Sequence, residues 1–184
     1  HTRSAHVSWG SEMCIRDSNI RDLNENAVKL ISDDWALLTA ADRDKDSCNP
    51  MTVSWGGIGE LWGKDTATVY VRESRYTKGL MDKEDHFSLC FFDKEYRPAL
   101  SFCGSHSGRD CDKIKETGLT PVYDENAPYF KEAKIVLICR KEACLYLDEN
   151  SFLDREIMQK WYSDHDMHYI YFSEIEKVLI SESF

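Results

Sequence analysis

The segment "DTATVYVRE", residues 65–73, constrains the fold more than any other stretch. Ala67, Val69 and Val71 alternate with Thr66, Thr68 and Tyr70, a period of two in β-branched and aromatic residues. That period fits an extended strand with one face buried, whereas a helix would scatter the same apolar side chains around its axis. Other strand-type runs flank it: "WALLTA", "MTVSW", "HFSLCFF", and a long final strand, "HYIYFSEIEKVLI", expected to bend near Ser173-Glu174. "HFSLCFF" is continuously apolar, as expected of a strand buried on both faces. "AKIVLICRKEACLYLD" reads as two strands around a tight turn near Lys141-Glu142.

Helices are fewer and shorter. A short amphipathic helix is expected within "NIRDLNENAVKLISDDW", with Ala27, Val28, Leu30 and Ile31 on its apolar side. Others are expected in "TKGLMDKEDHF", in "RPALSF" with Pro98 in its first turn, in "RDCDKIKETG" closing on Gly118, and in "DREIMQKWY". Six or seven strands, with helices inserted rather than alternating, predict a mainly β fold, an antiparallel barrel or sandwich, and argue against βαβ winding.

The length, 184 residues, suits a single domain. Residues 1–18 differ from the rest: they lack clear periodicity, and "VSWGSEMCIRDS" resembles the translation of a sequencing-library adaptor. They are set aside as a non-native leader, leaving 19–184 as the domain. The "VSWG" of residues 7–10 is therefore not a repeat of Val53-Ser54-Trp55-Gly56. A net charge of −10 argues against nucleic-acid binding, which needs a basic surface. No apolar run reaches the ~20 residues of a membrane span. No secretory signal is readable, and seven cysteines without a CxxC pair suggest reduced thiols and a cytoplasmic protein.

Four stretches carry chemistry. In "CNPMTVSWGGIGELWG", Asn49-Pro50 favours a turn before a strand over Met51 to Trp55. On that strand Thr52 and Ser54 share a face opposite Met51, Val53 and Trp55, and Gly56, Gly57 and Gly59 would let backbone approach a planar ligand. In "RESRYTKGL", Arg72, Arg75 and Lys78 accompany Tyr76 and Thr77 at a strand-to-helix junction, where unpaired N–H groups and cations suit a phosphate. "CGSHSGRDCDKIK" brings Ser107, Arg109 and Lys113 to a loop entering a helix, again suited to an anion. The C-x2-H-x4-C spacing of Cys103, His106 and Cys111 lacks the paired pattern of structural zinc, so no metal is expected. In "DHDMHYIYF", His165 and His168 precede the last strand, where a proton donor or nucleotide contact fits.

Together "NPMTVSWGGIGELW", "VRESRYTKGL", "SGRDCDK" and "HYIYFSEI", in order over roughly residues 34–180, resemble the flavin reductase-like family of FMN-binding split barrels. The resemblance implies a six-stranded antiparallel Greek-key split β-barrel with a few short helices, a homodimer, and FMN near the subunit interface. It implies Asn49, Met51, Thr52, Val53, Ser54 and Trp55 along the isoalloxazine, Arg75, Tyr76, Thr77 and Lys78 at the phosphate or ribityl end, Ser107, Arg109 and Lys113 closing over the cofactor, and His168 near the flavin. Two departures stand out: Glu73 where relatives often carry proline, and an atypical "MQKWYSDHDMH". The function expected is an NAD(P)H-dependent flavin reductase, taking NADH or NADPH as donor and serving a protein or small-molecule acceptor. An FMN-binding electron carrier of the flavoredoxin kind and a cofactor-free binding protein are the alternatives.

Overall fold

The computed structural model describes residues 15–184. Ten strands and five α-helices follow one another as β1 (Ile15–Ser18), α1 (Ala27–Lys29), β2 (Ala36–Asp42), β3 (Ser47–Val53), β4 (Gly56–Leu61), β5 (Lys64–Arg72), α2 (Tyr76–Lys83), β6 (His86–Phe91), α3 (Arg97–Ser105), α4 (Lys113–Thr117), β7 (Pro121–Val122), β8 (Tyr129–Phe130), β9 (Ile135–Tyr146), α5 (Arg155–Trp161) and β10 (His168–Ser181). Every predicted helix is present, and Gly118 closes α4 in the left-handed conformation at φ +71°.

Eight of these strands form one antiparallel sheet, in the order β3-β2-β6-β9-β10-β5-β4 with β1 added on β10, and β7 and β8 pair separately. From β5 the chain runs through α2 and re-enters the sheet as β6 beyond β9 and β10, a Greek-key connection. Its two end strands, β3 and β4, are consecutive in the chain yet unpaired, so the barrel wall is split there. Ile15–Ser18, grouped with the leader in the sequence reading, pair in register with Val178–Ser181; the rest of that leader lies outside the described residues.

The alternation in β5 is realised as expected: Ala67, Val69 and Val71 are buried in the barrel interior with Leu38, Phe87, Leu137 and Tyr171. A second apolar cluster lies outside the wall, where Leu37, Cys90, Val136 and Ile138 pack against Leu100 and Cys103 of α3 and against Phe130. Strands β2, β6 and β9 are thus covered on both faces, which explains the continuous apolar run of "HFSLCFF".

Three local expectations are corrected. Asn49-Pro50 is not a turn: both lie inside β3, and the chain reverses earlier, at Arg43–Lys45 and the left-handed Asp46. Pro50 is tolerated because β3 is an edge strand, where a missing N–H costs no ladder bond. Residues 135–146 are one strand rather than two, since both halves pair with β10; Phe172 faces Ala143 and Ser173 faces Lys141, so Glu142 is an extra bulged residue. A second register shift between Ile175 and Lys177 leaves Glu176 as an extra residue in β10. Finally, Gly56, Gly57 and Gly59 lie in β4, paired with Val69, Thr68 and Thr66 of β5, rather than in a loop.

Candidate functional site

The edge of β3, the start of α2, the loop before α4 and the start of β10 meet along one groove. Its first part is lined by Met51, Thr52, Val53, Trp55, Tyr70, Arg72, Arg75 and His168. Its second shares Met51 and Arg75 with the first and adds Asn49, Ser74, Tyr76, Thr77, His106, Ser107, Gly108, Arg109 and Lys113. Residues that the sequence placed far apart thus line one groove because Lys113 and α3 pack against β3.

The second part is built around a buried polar contact. Asn49 and Thr77 are both buried, and the Asn49 amide donates to the Thr77 hydroxyl at 2.9 Å. This ties β3 to the first turn of α2. That turn has no side-chain cap: Arg75 at the N-cap position makes no capping bond, so the turn keeps N–H groups that intrahelical bonds leave unpaired. Ser107 and Arg109 approach from the opposite loop, where the Arg109 amide donates to Ser107 Oγ at 3.1 Å and its guanidinium to the Ser74 carbonyl at 2.9 Å. Gly108 fits between them because it lacks a side chain; a Cβ there would sit 2.2 Å from Asn49 Oδ1 and 2.7 Å from the Tyr76 ring.

Lys113 is almost fully buried, and its ammonium donates to the carbonyls of Pro50 and Cys103 at 2.9 Å each. Burial lowers its pKa most, with Cys103 opposing that shift and Arg75 adding to it. The side chain clamps the free edge of β3 to the end of α3. Thr52 is also committed to α3, through its hydroxyl on the Leu100 carbonyl. Lys78 is turned away from the groove: its ammonium sits 2.6 Å from Asp82 and 4.0 Å from the centre of the Tyr169 ring. Ser54 is partly exposed and lines neither part.

At the other end, His168 is 6% exposed and, in β10, pairs opposite Arg72 of β5. Burial, reinforced by Arg72, pushes its pKa down to about 4, so the ring is neutral at pH 7. Its Nδ1 lies 2.7 Å from the Tyr162 hydroxyl. Trp55 stands 5.7 Å from the His168 ring and meets Trp161 edge-on at 5.0 Å. Arg72 fixes the segment carrying Trp161 by donating to the carbonyls of Asp166 at 2.6 Å and Trp161 at 3.0 Å. His165 is exposed, paired with Glu149, and outside the groove. Among the described residues, no group of three His, Cys, Asp or Glu side chains is placed to hold a metal ion.

The sequence reading missed Tyr70, Trp161 and the pair Asp42 and Lys45. The Tyr76 hydroxyl donates to Asp42 at 2.6 Å. Asp42 and Lys45 fall in "ADRDKDSCNP", whose composition signals only a turn. Nothing local marks them as neighbours of Tyr76.

A model of the flavin reductase like domain matches residues 29–183. Among solved structures, a flavoredoxin from Desulfovibrio vulgaris (Miyazaki F) is 22% identical, with a TM-score of 0.62 over 81% of this chain and 70% of its own. A flavoredoxin from Methanosarcina acetivorans is 24% identical, with a TM-score of 0.63 over 80% and 68%. The styrene monooxygenase flavin reductase from Pseudomonas putida S12 is 13% identical, with a TM-score of 0.60 over 81% and 80%. These likenesses establish the split-barrel fold. No curated protein sequence matches the chain.

Proposed function

The chain belongs to the flavin reductase-like family, and from that premise we propose that it binds FMN along the β3 groove and reduces it with NADH or NADPH. The observation that carries this reading is the uncapped start of α2, flanked by Arg75 and facing Ser107 and Arg109 at one end of the groove. Helix amides and two guanidinium groups suit a phosphate. The other end suits a planar ring: Val53, Trp55, Tyr70 and His168 line it, and the outer side of the β3 backbone has no strand partner. An end suited to an anion and an end lined by aromatic rings therefore fit the two ends of FMN.

Bound flavin would supply the hydride acceptor and pass the electrons onward. The protein's own residues position and shield. Arg75 and Arg109 offset the phosphate charge, while Lys113 holds the β3 edge in place without spending its ammonium on the ligand. His168 presents a neutral ring oriented by Tyr162. Trp55 and Trp161, 41% and 44% exposed, shield the ring end from water on one side and give a homodimer an aromatic surface to bury. The six described cysteines are all free, in keeping with a cytoplasmic setting.

The test is the visible spectrum of the purified protein with added FMN, followed by anaerobic mixing with NADH and NADPH separately. Retained flavin that bleaches with one nucleotide is expected. Protein that retains none refutes FMN binding. Bound flavin that neither nucleotide bleaches shifts the reading to an electron carrier of the flavoredoxin kind; two of the similar structures are flavoredoxins.

A further inference from the structure

His168 has one committed ring nitrogen and one free one. Its Nδ1 lies 2.7 Å from the Tyr162 hydroxyl, and among the described residues no other hydrogen bond reaches the ring. The side-chain atoms sealed from solvent without a partner are Thr39 Oγ1, Asp42 Oδ1 and Ser173 Oγ. His168 Nε2 is not among them, and the ring lines the aromatic end of the groove. A side chain only 6% exposed thus keeps an unpartnered nitrogen open to that end.

Tyr162 decides which nitrogen carries the proton. The phenol is 5% exposed, and His168 is the hydrogen-bond partner of its hydroxyl. Phe152 at 5.2 Å and the Arg72 guanidinium at 5.1 Å hold its ring in place. Burial raises its pKa most, so at pH 7 it keeps one proton to donate. A proton on Nδ1 would have to point at the phenol oxygen, leaving the phenolic proton buried without an acceptor. Such an orphan is costly. With Nδ1 bare, the phenol donates to it and both groups are satisfied. A neutral imidazole then carries its single proton on Nε2.

We propose that Tyr162 is a positioning residue that fixes His168 as the Nε2–H tautomer, so that the aromatic end of the groove offers a neutral N–H donor to a carbonyl oxygen on the ring seated there. This rests on the flavin reading above and extends it. The donor serves a carbonyl of the flavin or the carboxamide of a nicotinamide. It gives the site neither a base nor a cation at this point.

NMR of the ring nitrogens in the apoprotein reads the tautomer directly. At pH 7 the native protein should show a protonated Nε2 and a bare Nδ1, and Tyr162→Phe should mix the two forms. A protonated Nδ1 in the native protein, or a spectrum that Tyr162→Phe leaves unchanged, overturns the proposal. Titration with FMN, and of the flavin-loaded protein with oxidised NAD and NADP, then locates the carbonyl. Tyr162→Phe should weaken either the flavin or the nucleotide by about 3- to 10-fold, and the one weakened carries the oxygen. In a His168→Gln background, where the side-chain amide supplies an N–H without help from Tyr162, the same change should alter neither affinity by more than about twofold. Full affinity for both ligands in Tyr162→Phe, or an equal loss in the Gln background, overturns the proposal. Native protein that binds no flavin overturns the flavin reading, whereas the tautomer stands or falls on the NMR of the apoprotein.

Discussion

Gly108→Ala puts the construction of the phosphate cradle to its strictest test. The added methyl would lie 2.2 Å from Asn49 Oδ1, 2.9 Å from Asn49 Cγ and 2.7 Å from Tyr76 Cδ1. Ordinary contact begins near 3.4 Å, so the Asn49 amide must move by about 1 Å. That amide is buried and donates to the buried Thr77 hydroxyl at 2.9 Å, so the movement breaks the bond joining β3 to α2. Overpacking costs about 1–3 kcal/mol, and an unsatisfied buried polar group a further ~1–3 kcal/mol. At about 2–4 °C per kcal/mol for a chain of this size, the melting temperature should fall by roughly 4–24 °C. FMN affinity should fall with it, because the same shift displaces the first turn of α2 from the 107–109 loop. The assays are a thermal melt and a fluorescence titration. A variant that melts and binds like the native protein would refute the packing of Gly108 between Asn49 and Tyr76.

Three other consequences are open to measurement. His168 carries a pKa near 4 when folded against 6.5 unfolded, so the unfolded chain binds the extra proton between those values and stability rises with pH across that window. Denaturant melts should show up to ~3 kcal/mol lost from pH 6.5 down to 4, reduced in His168→Gln; identical profiles would sink the assignment. Arg75→Ala should weaken FMN binding by about 10- to 100-fold, whereas Lys78→Ala, whose ammonium is held by Asp82, should change it by less than about twofold. The reverse ranking in a binding titration would show that the phosphate lies elsewhere. Lys113→Met leaves the carbonyls of Pro50 and Cys103 unpaired and should cost ~1–3 kcal/mol in urea denaturation. An unchanged midpoint would mean that the clamp contributes nothing.

Much of the fold could be read in advance because its signals are local. The period of two in Thr66 to Val71, the apolar run of "HFSLCFF" and the Gly118 stop each depend on a few adjacent residues. Errors arose where one strand continued across a local irregularity. Lys141-Glu142 looks like a turn, yet β10 pairs with both flanking segments and absorbs Glu142 as a bulge. Asn49-Pro50 looks like a turn as well, until the position of β3 at the sheet edge removes the penalty on Pro50.

The sequence by itself determined an antiparallel barrel with short inserted helices, and it supplied the basic and hydroxyl residues from which an anion site is built. Alternation and turn chemistry act between near neighbours, so they survive in a linear reading. Only the tertiary structure decided which of those groups remain available. It bonded Asn49 to Thr77, spent the Lys113 ammonium on two carbonyls, paired Lys78 with Asp82, and placed the three glycines in β4, paired with β5. It also buried Asp42 beside Tyr76. Whether a side chain is free to meet a ligand depends on partners as many as 94 residues away, such as Asp166 for Arg72, and no spacing within a motif encodes them.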